Sequence, residues 1–239
     1  MTQVESLLER FLADFDRLAL PGASVVLHGS AARGQHLPGW SDINLLLVCE
    51  GLAPEALVAL RPLLTWWKAE AGAIPLLFTR AEWRRAADAY PLEIAEMRTG
   101  YRLLRGADPL AEVTVQPADL RLALEREWRG KLLRLRQVYA LLGDDPVALG
   151  DVVRHSIPGV LLLCRGVLVL AGERPAADPV DLANQAGARA GFGGPALARV
   201  VTHRGQEGWA CTAADMQGYL AAVETAARFV DHFQIGERQ

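Results

Sequence analysis

The stretch "HGSAARGQHLPGWSDINLLLV" runs from His28 to Val48. It follows the apolar run Ala23–Leu27 and ends in the apolar run Ile43–Val48, so it reads as strand, polar loop, strand. Gly29, directly after the first strand, lets the backbone turn sharply and lets a ligand come close. If a helix starts near Ser30, its unpaired N–H groups favour an anion such as a triphosphate, and the Ser30 hydroxyl adds a donor. Arg33, three residues further on, is a candidate phosphate contact. Asp42 and Asn44 are two apart, so on a strand they share one face, with Leu46 and Val48 deeper on it. Ile43, Leu45 and Leu47 point the other way, toward covering helices. An aspartate at the mouth of such a strand can hold Mg²⁺ or Mn²⁺ together with phosphate oxygens. Asn44 offers an amide oxygen and no charge.

Working outward, residues 2–19 carry Val4, Leu7, Leu8, Phe11, Leu12, Phe15 and Leu18 at helical spacing, and Pro21-Gly22 ends that helix. Residues 53–69 predict a second helix and Ile74–Phe78 a third strand. Thr79 caps a short helix over 79–89. Pro91–Met97 reads as a fourth strand, which Tyr101–Leu104 extends. After Pro117 the pattern is helical almost throughout, over 118–142, 146–171, 179–190, 195–203 and 212–233. The expected plan is an α/β domain over 1–115 and a helical bundle over 116–239.

Bulk composition narrows the classes. A net charge of −3 over 239 residues gives no basic field for nucleic acid. Cys49, Cys164 and Cys211 lie far apart with no metal-type spacing, which fits reduced thiols. The first fifteen residues carry three acids and no apolar core of signal length. The most apolar stretch, Ile157–Ala171, is short for a bilayer and contains Arg165. A cytoplasmic protein without membrane attachment is the expectation.

Gly29-Ser30, eleven intervening residues, then Asp42-Ile43-Asn44 resembles the motif of the DNA polymerase β-type nucleotidyltransferase superfamily: Gly-(Gly or Ser), a loop, then Asp-x-(Asp or Glu). The form "GSAARG…SDIN" is most similar to the small bacterial and aminoglycoside-modifying members. The resemblance implies an α+β fold, a mixed sheet with covering helices followed by an all-α bundle. It also implies an NTP substrate, ATP first, a divalent metal, and a third carboxylate from a neighbouring strand. Glu93 in "PLEIAEM" is preferred for that carboxylate over Glu96, because Glu93 would share a face with Asp42 if Leu92 and Ile94 face the helices. Asp42 and Glu93 are then the catalytic candidates, and Asp42, Asn44 and Glu93 the metal set. Gly29, Ser30 and Arg33 would bind the nucleotide. In the aminoglycoside enzymes the helical domain helps close the nucleotide site, so Lys131 or Arg134 would reach the triphosphate; an ordinary Glu127–Lys131 helix pair is the plainer alternative.

The departure from the motif is Asn44. Two carboxylates bridging two metals stabilise the charge that develops in phosphoryl transfer, and losing one weakens the site. Transfer of an NMP from NTP to an unidentified acceptor hydroxyl, weakened by Asn44, is therefore set beside a degenerate relative that only binds a nucleotide or partner. A third reading makes the bundle an interaction surface and the first domain its scaffold.

Overall fold

The computed structural model describes residues 2–38, 41–192 and 194–236. The chain divides into two compact units, Met1–Val115 and Gln116–Gln239.

The first unit opens with helix α1, Gln3–Arg17, whose cap Thr2 accepts a hydrogen bond from the Glu5 amide. Strand β1, Ser24–His28, leads into a single helical turn, α2, Gly29–Ala32. Strand β2, Asn44–Cys49, helix α3, Pro54–Ala71, and strand β3, Leu76–Thr79, follow. Helices α4, Arg80–Trp83, and α5, Pro91–Thr99, precede strand β4, Tyr101–Arg105, and a 3-10 turn at Pro109–Glu112. The sheet order is β3-β2-β1-β4. β1 is antiparallel to β2 and β4, and β2 is parallel to β3, so the sheet is mixed.

Every residue of β1 is buried, and so are five of the six in β2. Alternation decides where each goes. Val25, Leu27, Ile43, Leu45 and Leu47 pack with Leu8, Phe11 and Phe15 of α1 and Leu60, Leu63 and Trp67 of α3. Val26, Leu46 and Val48 pack on the opposite face with Trp83, Ile94, Met97, Leu110 and Val113. The facing of β2 matches its expected alternation, and apolar cover on both faces is why "LLLVC" shows no polar residue.

The second face corrects the sequence-based assignment of residues 91–97 to a strand. They form helix α5, and β4 begins only at Tyr101. Pro91, Leu92, Ile94, Ala95, Glu96 and Met97 are all buried. A one-sided stripe is what makes a helix legible, and a short helix buried nearly all round has none. Pro91 in its first turn suits a helix start.

Arg80 knits this unit together. Its Nε donates to Glu50 at 2.9 Å and its other nitrogens to Glu112, to the Gly22 carbonyl at 2.8 Å and to Ser24 Oγ at 3.1 Å. Thr79 and Glu82 form the capping box that starts α4 and aims Arg80 inward. Trp83 Nε1 donates to the Pro109 carbonyl at 2.7 Å, and Arg98 to the carbonyls of Leu110 and Val113, so the segment after β4 is tied to the helices.

The second unit consists of α6, Pro117–Leu142, α7, Pro146–Leu170, α8, Pro179–Ala190, α9, Gly194–Thr202, and α10, Ala213–Asp231. Asp145 and Asp178 cap α7 and α8 ahead of a first-turn proline. α7 is long and apolar enough, by length and composition, to cross a membrane, which revises the sequence-based measure of that stretch; most of its apolar window is buried in the bundle. Ser156 on α7 hydrogen-bonds the buried Tyr219 of α10 at 2.7 Å. The fold class is thus α+β, a mixed sheet with covering helices followed by an all-α unit.

Arg80→Ala removes a guanidinium that is 11% exposed, leaves Glu112 with Arg84 as its remaining partner, and takes the arginine donors away from the Gly22 carbonyl and Ser24 Oγ. A loss of about 3 kcal/mol is expected, read as a lower denaturation midpoint together with faster protease cleavage within 105–115.

Candidate active site

The first unit brings its polar groups together at the end of β1. There His28 pairs in register with Asn44 of β2 on one side and Tyr101 of β4 on the other. Gly29 turns the chain out of the sheet with φ +76°, a conformation only glycine takes readily. A Cβ on Gly29 would stand 3.1 Å from Asn44 Nδ2, so the Asn44 amide lies directly against the turn. α2 starts at Gly29 itself, and the Ser30 carbonyl accepts from the Gln35 amide at 2.8 Å. The Ser30 hydroxyl has no protein hydrogen bond among the described residues. Further along, Ser41 Oγ accepts from the Leu37 amide at 2.7 Å and meets His36 Nδ1 at 3.1 Å, which pins the far end of the loop.

Asp42 lies just before β2 and is exposed. Its carboxylate rests on Gly72, the residue that ends α3: a Cβ there would stand 2.1 Å from Asp42 Oδ1. The Ile43 amide donates to the Ala71 carbonyl at 2.9 Å, so residues 42–43 run along the end of that helix.

Glu93 is not beside Asp42 on a strand. It occupies the first turn of α5 and is exposed, because the helix turns this position outward. Glu96 is the carboxylate that α5 turns inward, and Arg33 at the end of α2 meets it at 2.6 Å. The pair is well buried, with side chains 11% and 9% exposed. Arg33 also lies over Gly100, where a Cβ would stand 2.7 Å from its Cγ. Arg33 is therefore bonded to a carboxylate rather than displayed to a phosphate. Strands β3 and β4, the outer neighbours of β2 and β1, carry no acidic residue.

His28 sits beside that ion pair. Its imidazole is buried, and neither ring nitrogen has a hydrogen-bond partner. Burial pushes its pKa below the ordinary histidine value, the Glu96 charge pulls it back up, and Arg33 pushes it down again. A buried polar group without a partner costs about 1–3 kcal/mol, so this end of the sheet tolerates an unfavourable arrangement.

In the second unit, Lys131 on α6 lays its ammonium against α7, 2.7 Å from where a Cβ on Gly159 would stand. The Glu127–Lys131 pair is not formed among the described residues. Arg134 is exposed on the same helix.

The residues fit a divalent ion only in part. Mg²⁺ is commonly held by one or two carboxylates plus the substrate's own phosphates, and here Asp42 offers one exposed carboxylate and Asn44 a neutral amide. Two bridged metals call for paired carboxylates. Among the described residues no group of three His, Cys, Asp or Glu side chains is placed to hold a metal.

Residues 8–99 match the family model of the nucleotidyltransferase domain. In this stretch the first unit is similar to nucleotidyltransferase domains of the DNA polymerase β type. The fold of the chain is similar to that of spectinomycin adenyltransferase AAD(9) from Enterococcus faecialis, whose crystal structure contains ATP and spectinomycin. That match has a TM-score of 0.56 and 13% identity, covering 93% of this chain and 99% of the other. At that identity the likeness is one of fold. No curated protein matches the sequence.

The depressed His28 pKa fixes a pH dependence. The unfolded chain takes up a proton near the ordinary value of 6.5, while the native imidazole stays neutral to a lower pH. Between the two values the unfolded state binds more protons, so this contribution to stability is full above about pH 6.5 and declines as pH falls below it. Melting from pH 7.5 to 5 should show a smaller acid-side decline in His28→Asn than in the wild type.

Proposed function

We propose that the first unit binds a nucleoside triphosphate, ATP first, at the β1–α2 turn, and moves its NMP weakly onto an acceptor hydroxyl, releasing pyrophosphate. The observation that carries this is the turn itself: Gly29 at positive φ, the unbonded Ser30 hydroxyl, and Asn44 against the turn, all within a nucleotidyltransferase domain. Gly29 and Ser30 hold phosphate oxygens. Asp42, with Asn44 beside it in sequence, holds the divalent ion, Mg²⁺ or Mn²⁺, that neutralises phosphate charge. The fold neighbour solved with ATP and spectinomycin supports ATP as the nucleotide and a small hydroxyl-bearing molecule as the acceptor.

A second reading is favoured by a specific observation. Glu96 is bonded to Arg33, Glu93 points outward, and β3 and β4 carry no acid. A site with one carboxylate suits holding a nucleotide better than accelerating its transfer. On this reading the fold is kept as a nucleotide- or partner-binding module.

Calorimetric titration with ATP and Mg²⁺ should show binding that EDTA weakens, and Asp42→Ala should abolish the metal dependence with an unchanged circular dichroism spectrum. No binding of ATP at all sinks the transferase and the nucleotide-binding readings and leaves the fold with a partner-binding role. Asn44→Asp supplies the missing charge and should raise metal affinity roughly tenfold, the worth of one added charge-assisted contact. Labelled-ATP transfer separates the readings. Transfer by the wild type that rises in Asn44→Asp supports the enzyme, and none in the wild type supports the binding module.

A further inference from the structure

We infer that the Arg33 guanidinium is a built-in cation that closes Glu96 to metal ions. This rests on the binding-module reading above, in which the site works without paired metals. Three observations meet here. Among the described residues, Glu96 is the one buried carboxylate on the face of the sheet that Asn44 shares, and it is neutralised at 2.6 Å by Arg33. Next to this pair, His28 presents two buried ring nitrogens with no protein partner, and the charges acting on it are those of Glu96 and Arg33. His28 is also directly across the ladder from Asn44, whose amide lies on the Gly29 turn. A buried carboxylate, an imidazole without a partner and an amide thus lie at this end of the sheet, where the positive charge comes from a side chain. A fixed guanidinium neutralises a carboxylate but offers no open coordination position, which a metal ion would provide.

The device makes a prediction that needs no catalysis. Without nucleotide, the melting temperature of the wild type should be the same in EDTA and in millimolar MnCl₂. Arg33→Gln leaves Glu96 buried and unpaired, and its melting temperature in EDTA should fall by roughly 10 °C. Mn²⁺ should restore several degrees of that loss by binding the freed carboxylate. Arg33→Gln combined with Glu96→Gln removes the carboxylate and should show no Mn²⁺ response. If Arg33→Gln does not fold in EDTA, its refolding yield from denaturant with and without Mn²⁺ reads the same quantity. A wild type stabilised by Mn²⁺ alone, or an Arg33→Gln response no larger than that of the double variant, overturns the inference and leaves the pair a structural clasp. Transfer of AMP by the wild type would instead remove the binding-module reading, a result separate from the Mn²⁺ response.

Discussion

Strand β1 is enclosed on both faces, and the rest of the first unit is arranged to enclose it. Val25 and Leu27 need α1 and α3; Val26 needs α5 and the segment after β4. Apolar burial of this kind contributes roughly 25 cal/mol for each Å² removed from water, so neither cover is optional. The consequence for function is topological. With both faces closed, polar chemistry is confined to the end of the sheet, where β1 stops at His28 and Gly29 swings the chain outward. The same cover sets the fate of the acids: Glu96 lies buried under the helix, while Glu93, in its first turn, stays exposed.

Much of this was legible in the sequence, and the misses have physical causes. The Gly29-Ser30 turn, the facing of Leu45, Leu46, Leu47 and Val48, and the Thr79 cap follow from local rules that act over two to four residues. The division near residue 115 coincides with a change from mixed to helical patterning. Residues 91–99 misled because a nearly fully buried helix shows neither period clearly. The Arg33–Glu96 pair was out of reach for another reason. Its members lie 63 positions apart, and no local pattern marks them; only the packing of α5 over β1 brings them together. His28 likewise carries no sign in sequence that its nitrogens lack partners.

The electrostatics of the site follow from that packing. A buried ion pair adds little net stability over apolar residues of similar volume, but losing one partner is costly. Arg33 and Glu96 are therefore bound to one another's presence. Asp42 stands apart from them, exposed over Gly72 and open to a metal-bearing ligand. One free carboxylate suits one ion carried in by the triphosphate, and Asn44 brings no second charge to share another. On the proposed reading, the site would hold phosphates better than it would stabilise their transfer.

The number of metal ions at the site tests this account most directly. Crystals grown with a non-hydrolysable ATP analogue and MnCl₂ report each ion by its anomalous signal. A single Mn²⁺ on the triphosphate beside Asp42, with Glu96 still bonded to Arg33, is the predicted result. Two bridged Mn²⁺ ions, or a Glu96 carboxylate released from Arg33 onto a metal, would contradict it.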